Sequence, residues 1–410
     1  MRYWFGSVPS GWKAIKLKFL CKQNLEKTSS KSNYVGLENI ESNTSNYIAS
    51  NIVPSGENIK FSKGDILFGK LRPYLAKVWR AEFNGCCSSE FFVLTAKEIN
   101  PDYLKLVLIS PSFIELVNGS TFGAKMPRSN WEFVGNQFIP VPPLEIQRCI
   151  AYFVAKSTLN IDALSKISQS KLELLSTYRQ SLITRAVTKG LDHNVEMKAS
   201  GVQWIGNMPS HWRICRVKNL FSVVCGATPS PNPQYWNGNI NWIGPSDMDE
   251  IGDVSSGKRS ITREGYESCG TTLVPQGSLV LSTRAPVGKV NIAKEELCTN
   301  QGCKSLVPLG SKNYTKYYYF VLQAAKDQLI QDSSGTTFLE LSTSALSDEL
   351  LPLPSLDEQK RIVSFLEKID EMVLELKVKL SDSIRLLNEY RSSLISAAVT
   401  GQLAIEEAAE

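Results

Sequence analysis

The chain contains two copies of one sequence pattern, and this duplication constrains its fold more than any other feature. Residues 4–13 read WFGSVPSGWK, and residues 204–213 read WIGNMPSHWR, 200 positions later. Residues 139–148 match residues 351–360 at an offset of 212, and residues 178–183 match 390–395 at the same offset. Three matches in the same order are not expected by chance. A repeat of this length implies a repeated structural unit.

Each copy consists of a globular part followed by a long helix. Residues 1–143 and 200–354 contain short apolar runs broken by Gly, Pro, Asn and Ser, which is typical of α/β domains with short strands. Residues 144–199 and 355–410 are the helical parts. Within them we predict long helices at residues 144–189 and 356–400, which carry apolar residues at the spacings of three and four that are typical of coiled coils. We therefore predict an α+β fold, with two mixed α/β domains separated by two long antiparallel coiled-coil helices and related by a pseudo-twofold axis.

The apolar seams are the most detailed part of this prediction. Each helix begins after a Pro-rich turn and ends at a glycine, Gly190 or Gly401, which are ordinary start and stop signals. The predicted seam of the first helix is Ile150, Val154, Ile161, Leu164, Leu172, Leu175, Tyr178 and Leu182. That of the second is Ile362, Leu366, Ile369, Val373, Leu376, Leu380, Ile384, Leu387, Tyr390 and Leu394.

Composition limits the class of protein. The 410 residues carry a net charge of +5, and residues 1–143 alone hold 17 Lys/Arg against 11 Asp/Glu. This local excess fits a nucleic-acid partner and fits a solvated surface equally well. Nine scattered cysteines indicate a reducing compartment, and we find neither a secretory leader nor an apolar run that could span a membrane. We therefore expect a cytoplasmic protein without membrane contact.

Three local matches to motifs of catalytic or metal sites are each incomplete. Residues 64–70 read GDILFGK, but Leu71 follows where a phosphate-binding loop requires Ser or Thr. Residues 232–235 read NPQY, which departs from the NPPY of adenine methyltransferases and lacks a preceding cofactor loop. The pairs Cys86–Cys87 and Cys298–Cys303 lack zinc ligands at the required spacing, so buried structural thiols are the better interpretation. We predict no catalytic residue and no metal.

At this level of detail the sequence resembles a known family. Residues 226–230 read GATPS, residues 232–238 read NPQYWNG, and residues 242–247 read WIGPSD. With the duplicated P-x-P-(P/S)-L-(D/E)-x-Q helix starts, they are similar to the specificity subunits of type I restriction–modification systems. The resemblance covers nearly the whole chain. The first copy lacks the TPS and NP-x-YW segment, so we expect the two heads to recognise different sequences.

The resemblance implies a function and a set of partners. A specificity subunit binds double-stranded DNA, and each head recognises one half of a bipartite target while the helices set the gap. The helices dock two modification (methyltransferase) subunits, and restriction subunits complete the complex. The chain itself would be non-catalytic and bind no cofactor. S-adenosylmethionine, ATP and Mg²⁺ would be used by the partner subunits.

Matched loops of the two copies supply the candidate DNA-binding residues. A DNA-reading head needs cations for phosphates and fork-shaped or amide side chains for base edges. Such residues follow a short strand in each copy and recur after a later Gly-Ser/Thr-Thr-Phe segment. The candidates are Lys70, Arg72, Tyr74, Lys77, Lys125, Arg128 and Asn130 in the first copy, and Arg284, Lys289, Thr336, Ser342 and Thr343 in the second.

A scaffold function remains as the alternative. A coiled coil with two protein-binding heads would produce the same pattern of repeat and helix. DNA binding that weakens with salt separates the two functions, because neutralised phosphates release counterions and a protein interface need not. We assign Trp4, Trp12, Trp204 and Trp212 to core packing rather than base stacking.

Overall fold

The structure is a computed structural model, and it describes most of the chain. The described residues are 3–30, 32–50, 57–123, 125–284, 286–310, 313–335 and 339–403. They form two compact units, residues 1–170 with 380–410 (unit 1) and residues 171–379 (unit 2). Each long helix is divided between the units, so each unit contains chain from both copies of the repeat. The predicted domain boundaries at residues 143, 199 and 354 stay a prediction.

Unit 1 contains the first head, which comprises residues 1–143. Its elements, with the first long helix that follows them, are β1 (Lys13–Lys16), α1 (Leu17–Leu20), β2 (Cys21–Asn24), β3 (Lys27–Thr28), β4 (Tyr34–Val35), β5 (Asn58–Phe61), β6 (Ile66–Gly69), β7 (Val78–Arg80), β8 (Gly85–Ser88), β9 (Phe91–Ala96), α2 (Pro101–Ile109), α3 (Pro111–Gly119), α4 (Trp131–Gly135), β10 (Phe138–Val141) and α5 (Leu144–Lys189).

Two sheets and a short strand pair build the first head. The larger sheet has the order β2-β9-β6-β7, the second has the order β3-β5-β8-β4, and β1 pairs with β10. The apolar sides of β6, β7 and β9 form one core with α2 and α3, in which Phe68, Tyr103 and Phe113 are buried. The helices and the larger sheet share this core, and residues of both sheets, including Phe61, Leu67 and Trp79, form a second core.

Unit 2 contains the second head, which comprises residues 200–354. Its elements, with the second long helix, are β11 (Met197–Ala199), β12 (Asn207–Pro209), β13 (Arg213–Arg216), β14 (Phe221–Cys225), β15 (Trp236–Ile243), β16 (Asp253–Val254), β17 (Arg259–Ile261), α6 (Arg263–Glu267), β18 (Leu279–Thr283), β19 (Val287–Ala293), β20 (Cys298–Thr299), β21 (Cys303–Pro308), α7 (Thr315–Ala324), α8 (Lys326–Gln331), α9 (Thr343–Asp348), β22 (Leu350–Leu353) and α10 (Leu356–Val399).

The second head repeats the topology of the first. Its main sheet has the order β14-β21-β18-β19-β16, which reproduces β2-β9-β6-β7 and adds one edge strand. The pair β13-β22 corresponds to β1-β10, and a separate sheet has the order β17-β15-β20. The predicted α+β class and the internal repeat are confirmed. The extra TPS and NP-x-YW segment of the second copy forms β15 and the 3-10 turn Pro233–Tyr235.

The long helices pack against each other in antiparallel fashion within each unit. In unit 2, Ile183 and Ala186 of α5 share a core with Ile362 and Leu366 of α10. In the same unit, the Arg179 guanidinium binds Asp370 through two bonds, Nε–Oδ1 of 2.7 Å and Nη2–Oδ2 of 3.0 Å. Later residues of one helix thus meet earlier residues of the other, as an antiparallel pair requires.

Unit 1 repeats this arrangement with the roles of the helices exchanged. Val154 of α5 shares a core with Ile395 and Ala398 of α10. The Arg391 side chain forms an ion pair with Asp162 and donates from Nη2 to the Thr158 carbonyl at 3.4 Å. Arg179 and Arg391 are 6% and 5% exposed, so both guanidinium groups lie inside their units.

Four residues of the predicted seams were assigned wrongly. Leu164, Tyr178, Leu376 and Tyr390 are exposed by 52%, 56%, 43% and 60% of their surface. The residues that directly follow the two tyrosines, Arg179 and Arg391, are the buried ones. A 3.5-residue repeat continues through these arginines, whereas a choice based on hydrophobicity selects the adjacent tyrosines.

The remaining expectations about the core agree with the structure. Trp212 is fully buried, and Trp4, Trp12 and Trp204 pack against the core clusters of their units. Residues 66–69 of the GxxxxGK match are strand β6, hydrogen-bonded between β7 and β9, so their backbone N–H groups do not face a phosphate. The thiols of the two pairs, Cys86, Cys87, Cys298 and Cys303, are buried, as is Cys21.

Glu349 is a buried carboxyl group at the base of the second head. Its carbonyl accepts a bond from the Val217 N–H at 3.0 Å, as the Gln137 carbonyl accepts from Leu17 in the first head at 2.9 Å. Burial, together with the nearby carboxyl of Asp332, raises the pKa of Glu349 to about 7. The first head has an uncharged amide at this repeat position, and the second has an acid.

We expect Glu349→Gln to remove a pH dependence of stability. A carboxyl whose pKa is raised by folding stabilises the folded state below the unfolded pKa, and this contribution is lost as pH rises through about 7. Wild-type protein should therefore lose on the order of 2 kcal/mol relative to the variant between pH 5 and pH 8.5. Urea unfolding at both pH values measures the difference. The exposed Glu267→Gln should leave the pH profile unchanged, and equal profiles for wild type and Glu349→Gln would contradict the assignment.

Candidate nucleic-acid interface

In the first head, the two predicted DNA-binding loops lie side by side. The Arg72 N–H donates to the Pro127 carbonyl at 2.8 Å, and the Ser129 N–H donates to the Lys70 carbonyl at 3.1 Å. The loop after β6 and the segment before α4 are therefore joined by backbone bonds. Residues that are more than 50 positions apart in the sequence form one surface, which we call the loop face of the first head (residues 70–76, 122–123 and 125–130).

Several side chains of this loop face are open to solvent. Arg72 has a left-handed backbone with φ of 51°, which turns the chain directly after the strand. Arg72 and Lys125 are exposed, and half of the Tyr74 surface is exposed. Lys70 is less exposed. Its Nζ lies 5.2 Å from the centre of the Phe92 ring, and burial lowers its pKa. The face thus combines exposed cations with one partly desolvated cation.

Arg128 on the same face is held by an acid. Its Nε lies 3.2 and 3.1 Å from the two oxygens of Glu90, and its Nη2 lies 2.9 Å from one of them. This forked contact satisfies the geometry that arginine also uses for phosphates and guanine edges. Glu90 therefore occupies the side of the guanidinium that a phosphate or base edge would need.

The second head has a corresponding loop face (residues 283–284 and 340–343). The Leu341 N–H donates to the Thr283 carbonyl at 3.0 Å, which joins the loop after β18 to the segment before α9. Arg284 Nη1 lies 3.6 Å from the Glu340 carboxylate, so an arginine is again beside a glutamate. Thr343 Oγ1 contacts the Cys225 thiol at 3.0 Å. The structure brings Arg284 and Thr343 to one side of the head, while Thr336 lies outside the described residues.

Lys304 is buried beside this second face, and the sequence did not single it out. Its Nζ donates to the Leu341 carbonyl at 2.6 Å, it is 4% exposed, and burial lowers its pKa. In the repeat it stands at the position of Phe92, so each head holds a desolvated lysine near its loops, although from different strands. The detectable signal was one lysine in the otherwise uncharged run of β21, which reads CKSLVP.

Two predicted lysines are already bound by the fold. Lys77 donates from Nζ to the carbonyls of Leu37 at 2.7 Å and Ile40 at 2.9 Å. Lys289, its counterpart in the repeat, donates to the Met248 carbonyl at 2.8 Å. In each head this lysine ties the central hairpin to a neighbouring loop, which gives it a structural role whether or not it also meets DNA.

Two predicted polar residues are helix caps. The Asn130 side chain accepts the Phe133 N–H at 2.7 Å, at the start of α4. The Ser342 side chain accepts the Ala345 N–H at 3.1 Å, at the start of α9. Asn and Ser are favoured at this position because they satisfy an otherwise unpaired backbone donor. The contact of any of these residues with DNA stays a prediction.

Comparison with known proteins identifies the family. The profile of the type I restriction modification DNA specificity domain matches the chain twice, at residues 9–174 and 209–386. The chain belongs to this family. The two matches coincide with the two copies of the repeat, so the predicted resemblance is confirmed, and the chain carries two specificity domains.

Individual relatives agree with this assignment. The chain is 36% identical over 173 residues to the MjaIX specificity subunit of Methanocaldococcus jannaschii, an alignment that covers 41% of this chain and only 40% of that relative. It is 22% identical to the HindI specificity subunit of Haemophilus influenzae over 86% of this chain and 89% of that one. A solved structure of a type I restriction–modification system has the same fold, with a TM-score of 0.78, 21% identity and coverage of 97% and 100%.

A further finding concerns whether the helices could cross a membrane. In the part of the chain that the structure describes, every helix is too short or too polar to cross a lipid bilayer. The two long helices of this specificity protein have exposed charged residues along their length.

We expect Glu90→Gln to strengthen DNA binding by the first head. The substitution removes the carboxylate that holds Arg128, so the guanidinium becomes available for a phosphate. Affinity for double-stranded DNA should rise about three- to tenfold at low salt, and the salt dependence should steepen by about one phosphate contact. Fluorescence anisotropy of a labelled duplex across a salt series measures both quantities.

The matched control is Glu26→Gln. Glu26 is an exposed carboxylate in the same head, and its Oε1 lies 2.9 Å from Lys60 Nζ. The control makes the same change in net charge and releases a different cation. Equal gains in affinity for the two variants would show that overall charge, and not Arg128, is responsible.

Proposed function

We propose that the chain is the DNA-recognition subunit of a type I restriction–modification complex, in which each head recognises one half of a bipartite DNA target. The observation that carries the proposal is the pair of corresponding loop faces, each with an arginine beside a glutamate. The family of the chain and the duplicated specificity domain support the same function. The complex would act on DNA in the cytoplasm.

The two heads differ in the side chains that they offer to DNA. The first face presents Arg72 and Lys125 openly, whereas Arg284 of the second is half-buried. The second head also has the small sheet β17-β15-β20, where the Arg259 guanidinium lies 3.3 Å from the centre of the Trp236 ring. Different donors at corresponding loops favour different bases, because sequence is read by the hydrogen-bonding pattern of base edges. We therefore propose two unlike half-sites, with the helices setting the gap.

The outer surfaces of the long helices support the docking of modification subunits. Many large apolar side chains on these helices point away from the head cores. Among the exposed ones are Leu164, Ile167, Leu174 and Tyr178 on α5, and Met372, Leu374, Leu376, Val378, Leu386 and Tyr390 on α10. Exposed apolar surface of this extent marks an interaction site, and helices bind such surfaces through spaced apolar contacts. We propose two modification subunits as the partners, with restriction subunits joining them.

Catalysis belongs to those partners in this proposal. The modification subunits would bind S-adenosylmethionine and flip the target adenine, and the restriction subunits would use ATP and Mg²⁺. The chain described here contributes binding and position, and no cofactor or metal of its own. Its loop faces contain ion-paired arginines and desolvated lysines, which suit electrostatic recognition of DNA.

Exchange of one head tests the proposal directly. We expect that replacing residues 1–143 with the corresponding part of a relative changes one half of the methylated sequence. The other half and the gap should stay the same, because the second head and the helices are untouched. Sequencing with detection of modified adenine, in cells that also express the modification subunits, reports both half-sites and the gap. A change in both halves would rule out independent heads, and salt-independent binding of the purified chain would favour the protein-binding scaffold.

Substitution on the outer surface of α5 tests the docking role. Leu174 is 67% exposed, so Leu174→Ser removes apolar contact surface with little effect on the core. We expect the double variant Leu174→Ser/Tyr178→Ser to bind a modification subunit at least tenfold more weakly, since a buried leucine or tyrosine contributes more than 1.4 kcal/mol of apolar burial. DNA binding by the purified chain should not change.

Leu25→Ser serves as the control for this experiment. Leu25 is 66% exposed in the first head, so the substitution removes a similar apolar surface away from the long helices. Affinity for the modification subunit is measured by titration calorimetry for each variant. Equal affinities of the double variant and the control would place the docking surface elsewhere.

A further inference from the structure

Unit 1 contains a cavity of about 580 Å³ between its head and its helix segments. Residues 43–46, helix α2, the first turns of α5 and the last turns of α10 line it. Ile109, Lys105 and Arg391 are among the lining residues. This volume lies in the range of small-molecule binding sites, which is about 300–1,000 Å³.

Arg391 is incompletely paired in this cavity. Both of its hydrogen bonds, to the Thr158 carbonyl and to Asp162, come from Nη2. Its Nη1 makes no hydrogen bond to any described residue, and its Nε is sealed from solvent without a partner. A donor inside the unit without an acceptor is unfavourable, so an acceptor that approaches Nη1 from the cavity would be bound readily.

The equivalent arginine of unit 2 shows which partner is missing. Arg179 uses Nε and Nη2 for Asp370, and its Nη1 donates to the Gln323 side-chain oxygen at 3.1 Å. The acid and the amide together satisfy all three nitrogens. Arg391 stands at the same position of the repeat, 212 residues later, and has neither the forked acid nor the amide.

Gln323 and Ile109 occupy equivalent positions on equivalent helices. The Tyr103 hydroxyl of α2 donates to the Val399 carbonyl at 3.4 Å, and the Tyr317 hydroxyl of α7 donates to the Val187 carbonyl at 3.2 Å. Aligned on these tyrosines, which are 214 positions apart, α7 has Gln323 where α2 has Ile109. The same alignment places Tyr319 opposite Lys105. In the first copy, Ile109 replaces the amide of Gln323 and Lys105 replaces the ring of Tyr319. The first copy therefore has a cavity at this place, with Lys105 as a second cation beside Arg391.

The charges of the cavity favour an anion at the Arg391 end. The acids Asp102 and Glu82 also line it, but they lie near Lys105 and stabilise its charge, and Asp102 pairs with Arg80 at 2.8 Å. Asp162 is engaged by Arg391. Burial lowers the pKa of Lys105, which indicates an ammonium group that has lost hydration. Carboxylates satisfy guanidinium groups through two parallel bonds, as Asp370 does for Arg179.

We propose that this cavity binds a small carboxylate-bearing molecule, whose carboxylate accepts a hydrogen bond from Nη1 of Arg391 and whose body fills the space that Gln323 and Tyr319 occupy in unit 2. The site is separate from both loop faces. It does not depend on the DNA-recognition function, because it follows from the comparison of two equivalent arginines.

Two substitutions that copy unit 2 test the proposal in the full-length chain. Ile109→Gln supplies the acceptor, and Lys105→Tyr fills the space and removes the second cation. Sodium succinate and sodium acetate are the probes, titrated against sodium chloride at constant ionic strength. We expect a saturable rise in the Tm of wild-type protein, about 3 °C or more at ten times the dissociation constant, and one binding site by calorimetry. Both variants should lose the response.

The outcomes separate a site from a general salt effect. A rise that does not saturate, or that is equal in wild type and in both variants, overturns the proposal. No rise with either probe also overturns it. A saturable response to sodium sulfate as large as that to succinate would show that the cavity binds oxyanions in general, which overturns the preference for a carboxylate. If Ile109→Gln folds poorly, Lys105→Tyr gives the same readout, because it leaves Arg391 and Ile109 in place.

Discussion

A buried arginine that pairs with an aspartate across two helices is the contact on which each unit depends. Arg179 reaches Asp370 in unit 2, and Arg391 reaches Asp162 in unit 1. Apolar seams alone would allow the two helices to shift by a turn relative to each other. A buried Arg–Asp pair permits one register, because only in that register do the two side chains meet. Loss of either partner would leave an uncompensated charge at a cost of about 3–5 kcal/mol. Because each pair joins the two copies of the repeat, neither copy completes its own unit.

The heads are fixed to this helix frame by a second repeated contact. The Gln147 side chain at the start of α5 accepts the Asn100 N–H at 2.7 Å, and Gln359 at the start of α10 accepts the Tyr314 N–H at 2.9 Å. Each glutamine also donates to a proline carbonyl of the preceding turn. The glutamine of the P-x-P-(P/S)-L-(D/E)-x-Q pattern thus fixes the junction between each head and the helix that follows it. The orientation of each head is therefore set by that helix.

The sequence predicted the features that repeat along the chain and missed those that depend on partners distant in sequence. Helices α5 and α10 begin and end within a residue of the predicted bounds, because a long 3.5-residue pattern and a terminal glycine are local signals. Tyr178 and Tyr390 were placed in the seams because hydrophobicity alone cannot anticipate that a distant aspartate makes Arg the inward residue. The loops were paired correctly, but the capping roles of Asn130 and Ser342 required knowledge of where two short helices begin.

The same frame tolerates different side chains in its two copies, and this tolerance is what allows one fold to carry two recognition specificities. The backbone bond from Leu17 to Gln137 recurs from Val217 to Glu349, although an amide has become a buried acid. Phe92 and Lys304 occupy one strand position, yet both strands keep their antiparallel pairing to β6 or β18. Backbone hydrogen bonds and the Arg–Asp pairs fix the architecture, so substitutions elsewhere change local chemistry without changing topology. Differences between the loop faces, and the cavity beside Arg391, are therefore consequences of one duplicated frame whose side chains have diverged.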